Sequence, residues 1–237
     1  MSEAIAGGWP PPARPRLKVC CIASVAEARL AISAGADALG LVSAMPSGPG
    51  VIAEELIAEI VAAVPPPVAT FLLTARVDAA GIAAQVTATR ASTVQLVDAA
   101  PAPALDELRL ALPATKLVQV VHVLDADSVR EALDAAPLVD ALLLDSGDPR
   151  RAVKELGGTG RVHDWALSRA IVDASPAPVF LAGGLRADNV ADAVRAVRPF
   201  GVDVCSGVRT EGRLDAAKLA ALVAALAGVE AGVEAGG

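Results

Sequence analysis

Tyrosine is absent from the 237 residues, and tryptophan and phenylalanine together supply only 2% of them. A chain this poor in aromatics has no stacking platforms for unpaired bases. Its core has to be built from Ala, Val, Leu and Ile, which bring the hydrophobic share to 54%. Basic clusters are also missing: the formal net charge is −7 and the pI is near 4.9, so a general nucleic-acid binder is excluded. Long uninterrupted apolar runs are missing as well. Charged, Pro or Gly positions break each stretch before it could span a bilayer, despite a mean hydropathy of +0.53. The opening MSEAIAGGWPPPARPR lacks the basic-then-apolar order of a secretory signal. Histidine is scarce, with two in all, and no second ligand stands at metal spacing beside His122 or His163, so neither a metal nor another cofactor is expected. The three cysteines are Cys20, Cys21 and Cys205, an odd number whose adjacent pair would make an awkward disulfide; a reducing, cytoplasmic setting follows.

What is present is a regular alternation. Residues 1–16 read as a Pro-rich lead-in, 17–227 as one folded unit, and 228–237 as a frayed tail. Within the unit, short aliphatic runs recur: LKVCCI (17–22), ALGLV (38–42), VATFLL (68–73), TVQLV (93–97), KLVQVVHV (116–123), ALLLD (141–145), PVFLAG (178–183) and VDVCSG (202–207). Ala-rich stretches with helical spacing follow them, such as AEELIAEIVAAV and DNVADAVRAV. Eight strand–helix units in series predict an α/β fold, a (β/α)8 TIM barrel with its site at the C-terminal ends of the strands. A doubly wound open sheet is the rival. Its dinucleotide-binding form wants a Gly-rich turn after the first strand, where this chain has CCIAS.

The candidate residues follow from that placement. LAGGL closes the seventh run and CSGV the eighth, so Gly183, Gly184, Ser206 and Gly207 are expected to bind phosphate with backbone N–H groups. Cys20 and Asp145 end the first and sixth runs, whose tips face each other across a barrel mouth; thiol and carboxyl there suit base and acid. Lys18 shares the face of Cys20, while alternation turns Leu17, Val19 and Cys21 toward the helices. Asp98 ends the fourth run, and Asp203 is expected inside the barrel. Asp164 either caps the helix starting at Trp165 or orients substrate. Ser43 completes the set of strand-end candidates, and His122 is expected to be satisfied by packing or one hydrogen bond.

The stretches KVC (18–20), GADALGLV (35–42), VQL (94–96), LLLDS (142–146), GGTGRVHDW (157–165), LAGGLRADNV (181–190) and GVDVCSGV (201–208) resemble the phosphoribosylanthranilate isomerase family of tryptophan biosynthesis. The resemblance covers nearly the whole folded part. It implies a phosphate-binding barrel that performs an Amadori rearrangement on a phosphorylated aminosugar, without cofactor, with Asp145 as general acid and Cys20 as general base. It also implies a substrate contact from Asp164; Lys18, Asp98, Gly158 and Arg209 are further substrate-binding candidates, and a monomer or homodimer that engages neither nucleic acid nor membrane is expected. Several positions depart from the family pattern. MPSGPGV stands where the family has Ser-Pro-Arg, QLVD for Gln-Leu-His-Gly, and SGVR for Ser-Gly-Val-Glu. Cys21 replaces a usual Gly, His163 a Phe and Leu214 a Lys. The Arg expected to face the anthranilate carboxylate is thereby lost, and Arg209 or Arg161 is its candidate replacement. The alternatives are the same chemistry on a different aminoribose phosphate, or a non-catalytic homologue that binds a sugar phosphate.

Overall fold

The computed structural model describes residues 12–46, 48–147 and 163–234. Eight parallel strands close into a barrel: β1 Arg16–Val19, β2 Ala38–Val42, β3 Ala69–Thr74, β4 Thr93–Leu96, β5 Lys116–His122, β6 Ala141–Asp145, β7 Val179–Leu181 and β8 Gly201–Val204. Each hydrogen-bonds to the next, and β1 pairs with β8 in the register Leu17↔Val202, Lys18↔Asp203, Val19↔Val204. The helices alternate with them: α1 Val25–Ser33, α2 Glu54–Ala63, α3 Ala79–Thr89, α4 Ala102–Ala111, α5 Asp127–Ala135, α6 Trp165–Ala174, α7 Val190–Val197 and α8 Ala216–Glu234. The expected (β/α)8 architecture is the observed one.

Strand alternation sorts the apolar side chains into two bodies. Leu39, Leu41, Leu142, Leu144, Val202 and Val204 face outward and pack with helix residues such as Ile57, Ile82 and Leu222. Ala38, Val42, Phe71, Val118, Leu143 and Phe180 face inward and fill the barrel. Helix starts are marked by capping side chains: Ser24 Oγ accepts from Glu27 N (3.1 Å), and Asp78 Oδ1 accepts from Gly81 N (2.6 Å).

Two features differ from the sequence reading. Helix α8 runs past residue 227 to Glu234, with Val229 buried in the outer core, so the tail does not begin at 228. A two-stranded antiparallel hairpin, β9 Arg209–Thr210 and β10 Arg213–Leu214, sits between β8 and α8. Among the described residues no helix is long and apolar enough to cross a membrane.

Candidate active site

Cys20 follows the last residue of β1 and continues its inward face. Its N–H donates to Val204 O (2.8 Å) and its side chain is 6% exposed, within the interior cluster. The sulfur has room because β2 carries Gly40 beside it: a Cβ there would lie 2.7 Å from Cys20 Sγ, closer than real Cβ atoms approach. Asp145 ends β6, three strands away around the closed barrel, 8% exposed, with Oδ1 accepting from Ser146 N (2.7 Å). Both proposed acid–base groups therefore belong to the C-terminal ends of opposed strands.

The two glycine loops form one structure. Gly183 (φ +84°) and Gly184 (φ +64°) turn the chain after β7 through the left-handed region, which glycine enters without penalty. Gly207 follows β8, and a Cβ on it would fall 2.0 Å from Leu185 O, so only glycine lets the β8 loop seat on the β7 loop. Asn189 Nδ2 donates to Gly184 O (3.0 Å) and holds that loop from the start of α7. Ser206 is exposed beside Gly207 at this end.

Other expected residues fall differently. Lys18 faces inward, fully buried, and its Nζ lies 2.8 Å from Asp203 Oδ2, so it holds the neighbouring strand. Burial opposes the lysine charge, yet the adjacent carboxylate keeps its pKa above the ordinary lysine value; burial likewise raises Asp203, against the pull of Lys18. Arg209 is buried and engaged within the protein. It lies against Glu27 (3.1 Å to Oε2) and donates to Gly212 O (2.9 Å), Cys20 O (3.1 Å) and Cys21 O (2.5 Å). Its guanidinium thus anchors the end of β1. Asp164 caps α6, its Oδ1 accepting from Ala166 N (2.8 Å). Asp98 follows β4 half-buried, accepting from Ala99 N (3.0 Å). Ser43 is buried and donates to Leu73 O (2.7 Å), and His122 Nε2 lies 3.2 Å from Val97 O. Gly158 and Arg161 lie outside the described residues.

Cys21 corrects the alternation argument. It does not face the helices. Beta geometry stops at Val19, and a φ of +62° at Cys21 swings its side chain into the interior cluster beside Cys20. A left-handed φ explains why the related family has glycine there, since a side chain in that region costs roughly 1–2 kcal/mol. The thiol packs against the β2–α2 loop, donating to Pro49 O (3.5 Å), so two of the departures from the family pattern touch one another.

Two features had not been singled out, the Glu27 cluster and the contact between Cys21 and Cys205. Glu27 accepts from Ala23 N (3.0 Å) and Leu214 N (2.9 Å) besides meeting Arg209, and the Ser24-x-x-Glu27 capping signature was its available signal. Burial raises the Glu27 carboxyl, but Arg209 and these backbone donors bring it below the usual carboxylate range. His163 reaches the site: a Cβ on Gly183 would lie 3.0 Å from its Nδ1 and 3.1 Å from Ser146 Oγ. Its Nε2 is 2.7 Å from Ser168 Oγ, and burial lowers its pKa against the raising influence of Asp145 and Asp164. The second missed feature is Cys205, whose Sγ is 2.8 Å from Cys21 Sγ; nothing in the sequence ties these two together. Among the described residues no group of three or more His, Cys, Asp or Glu side chains could hold a metal ion.

A cavity of about 880 Å³ opens at the opposite, N-terminal end of the barrel, over Phe71, Phe180 and Phe200. Its rim charges neutralise one another, Arg14 and Arg16 on Asp37 and Lys116 on Asp140, so it presents no group poised for chemistry.

The family model for N-(5'-phosphoribosyl)anthranilate isomerase matches residues 17–225. This chain belongs to that family. The isomerase of Haloferax volcanii is 43% identical over 201 residues, covering 83% of this chain and 86% of its own. The solved phosphoribosylanthranilate isomerase of Thermotoga maritima superposes with a TM-score of 0.77 at 27% identity, over 90% of this chain and 99% of its own. A further solved isomerase, in complex with reduced 1-(o-carboxyphenylamino)-1-deoxyribulose 5-phosphate, gives a TM-score of 0.73 at 25% identity, over 90% and 99% of the two chains. The (β/α)8 barrel is shared with these solved isomerases.

Proposed function

We propose that this chain isomerises N-(5'-phosphoribosyl)anthranilate to the 1-deoxyribulose 5-phosphate ketoamine in tryptophan biosynthesis, using Asp145 as general acid and Cys20 as general base. The observation that carries the reading is the placement of these two groups at the ends of β6 and β1, on opposite sides of one barrel mouth. Asp145 gives a proton to the ribose ring oxygen as the ring opens to the Schiff base. Cys20 then takes the proton from sugar C2 to give the enolamine, which tautomerises to the ketoamine. Both steps are proton transfers, for which a positioned acid and base suffice. The joined loops at Gly183–Gly184 and Ser206–Gly207 are the proposed seat of the phosphate, in the position typical of barrels. Three free cysteines suit a cytoplasmic setting.

The test is direct. The purified chain is expected to isomerise phosphoribosylanthranilate and to complement a strain lacking this isomerase. Cys20→Ala and Asp145→Asn are each expected to abolish turnover with an unchanged circular dichroism spectrum; a wild type inert on this substrate would sink the reading. One observation favours a second reading, in which the same chemistry acts on a different aminoribose phosphate. The loop after β2 has no Arg, and Arg209 is already engaged by Glu27 and the Cys20 and Cys21 carbonyls. Turnover of another N-substituted aminoribose phosphate at higher kcat/KM than the anthranilate compound would establish it.

A further inference from the structure

The cysteines at the barrel mouth include a pair with no part in the proton transfers. Cys21 Sγ and Cys205 Sγ are 2.8 Å apart, and all three cysteines are free thiols. Cys21 comes shortly after β1 and Cys205 directly after β8, neighbouring strands whose register runs to Val19↔Val204 and whose ends stay joined by Cys20 N to Val204 O. Cys21 is buried, whereas Cys205 is partly open to solvent, so one sulfur can be reached by a small oxidant and the other only through its partner.

The environment also divides the two. Contact with Cys21 and the charge of Arg209 lower the Cys205 thiol against burial, while hydrogen bonding to Cys20 and Cys205, together with burial, raises Cys21. Of the two, Cys205 is the more readily ionised sulfur.

We propose that Cys21 and Cys205 form a peroxide-responsive thiol pair that closes to a reversible disulfide beside the active site. The Cys205 thiolate attacks a peroxide oxygen, the O–O bond breaks, and sulfenic acid and hydroxide form. The Cys21 sulfur then attacks the sulfenyl sulfur, the S–O bond breaks and water leaves. The proton from the Cys21 thiol leaves with that water, and the hydroxide takes up the proton Cys205 released on ionising. Two electrons pass from the two sulfurs to the peroxide, whose oxygens depart as two waters. Closing the contact to a bond of about 2.0 Å draws the end of β8 toward β1. Ser206 and Gly207 come next in that chain, so the bridge displaces the loop proposed to seat phosphate; this last consequence rests on the isomerase reading.

The experiment treats the reduced, full-length chain with hydrogen peroxide, follows intact mass, and maps thiols by alkylation and proteolysis. The expected product has lost two hydrogens, carries a 21–205 cross-link, retains an alkylatable Cys20, and reverts with dithiothreitol. Cys21→Gly and Cys205→Ala, each checked for native melting, are expected to form no bridge, with Cys205 in the first proceeding to sulfinic acid. A bridge between Cys20 and Cys205, or wild-type Cys205 advancing to sulfinic acid without a bridge, would overturn the proposal. In the activity arm, oxidation should lower kcat/KM on the order of tenfold, reversibly, because sub-ångström misplacement at a site is felt strongly. A bridged protein with unaltered kinetics would refute the functional consequence alone. A wild type inert before oxidation would count against the isomerase reading and leave the cross-link result standing.

Discussion

Replacing Lys18 by Met is the sharpest stability test the barrel interior offers. Lys18 is 0% exposed and Asp203 9% exposed; they are register partners on β1 and β8 with Nζ and Oδ2 2.8 Å apart. Met fills much of the lysine stem's volume, so packing changes little and the charge is what is lost. The variant leaves a buried carboxylate without its cation, and breaking a buried pair from one side costs about 3–5 kcal/mol. At about 2–4 °C per kcal/mol for a chain of this size, the melting temperature should fall by roughly 6–20 °C. The pH dependence supplies a second signature. Burial already raises Asp203, and without Lys18 nothing opposes it, so the folded variant holds a proton that the unfolded chain releases. With the folded pKa above the unfolded one, stability is greatest below the unfolded carboxyl range and falls as pH rises through the folded pKa. The variant should therefore recover, relative to wild type, on acidification. Urea unfolding of wild type, Lys18→Met, and Lys18→Met with Asp203→Leu reads both effects. The double variant should regain most of the loss, because a well-packed apolar pair is often as stable as a buried ionic one. A single-variant loss below about 1 kcal/mol, or a double variant no better than the single, would refute the reasoning.

Further measurements address the other supports of the site. Gly40→Ala would place a methyl 2.7 Å from Cys20 Sγ and is expected to lower kcat/KM by on the order of tenfold to a hundredfold; unchanged steady-state kinetics would show that the sulfur does not need this space. Arg209→Leu removes the donors to the Cys20 and Cys21 carbonyls and strands the half-buried Glu27, so a loss of about 3 kcal/mol in chemical denaturation is expected. His163, held below its ordinary pKa by burial, favours the neutral folded form. Its contribution is fully present above about pH 6.5 and is lost as pH falls through the lower folded pKa. Melting temperatures of wild type should drop across that window more than those of His163→Phe, and parallel curves would show that the imidazole is not the group responsible.

The strands ALGLV and ALLLD coincide with β2 and β6 residue for residue because both of their faces are buried along the apolar run. β4 and β7 came out shorter than their runs because the last residues already turn into the loops. The positions of Cys20 and Asp145 were legible for the same reason, each standing where a strand stops. What was not legible depends on contacts distant in sequence. Lys18 was read as facing inward, but its engagement by Asp203 follows from the β1–β8 closure, which no local pattern reports. Arg209 was read as free to meet substrate, whereas the hairpin after β8, too short to show any periodicity, turns it back onto β1. Cys21 failed the alternation rule because that rule holds only while the backbone remains a strand, and β1 ends at Val19.

The scarcity of aromatics has an optical consequence. The chain has no tyrosine and two tryptophans, of which Trp9 lies outside the described residues. Trp165 opens α6 directly after His163 and Asp164, with its Nε1 buried and unpartnered among the described residues. With Trp9→Phe, the ultraviolet emission would come from a single indole two residues from the imidazole that touches the Gly183 turn. Ligand arrival, protonation of His163 and loosening of the α6 start would then each be readable as a change in that one emission, without any attached dye.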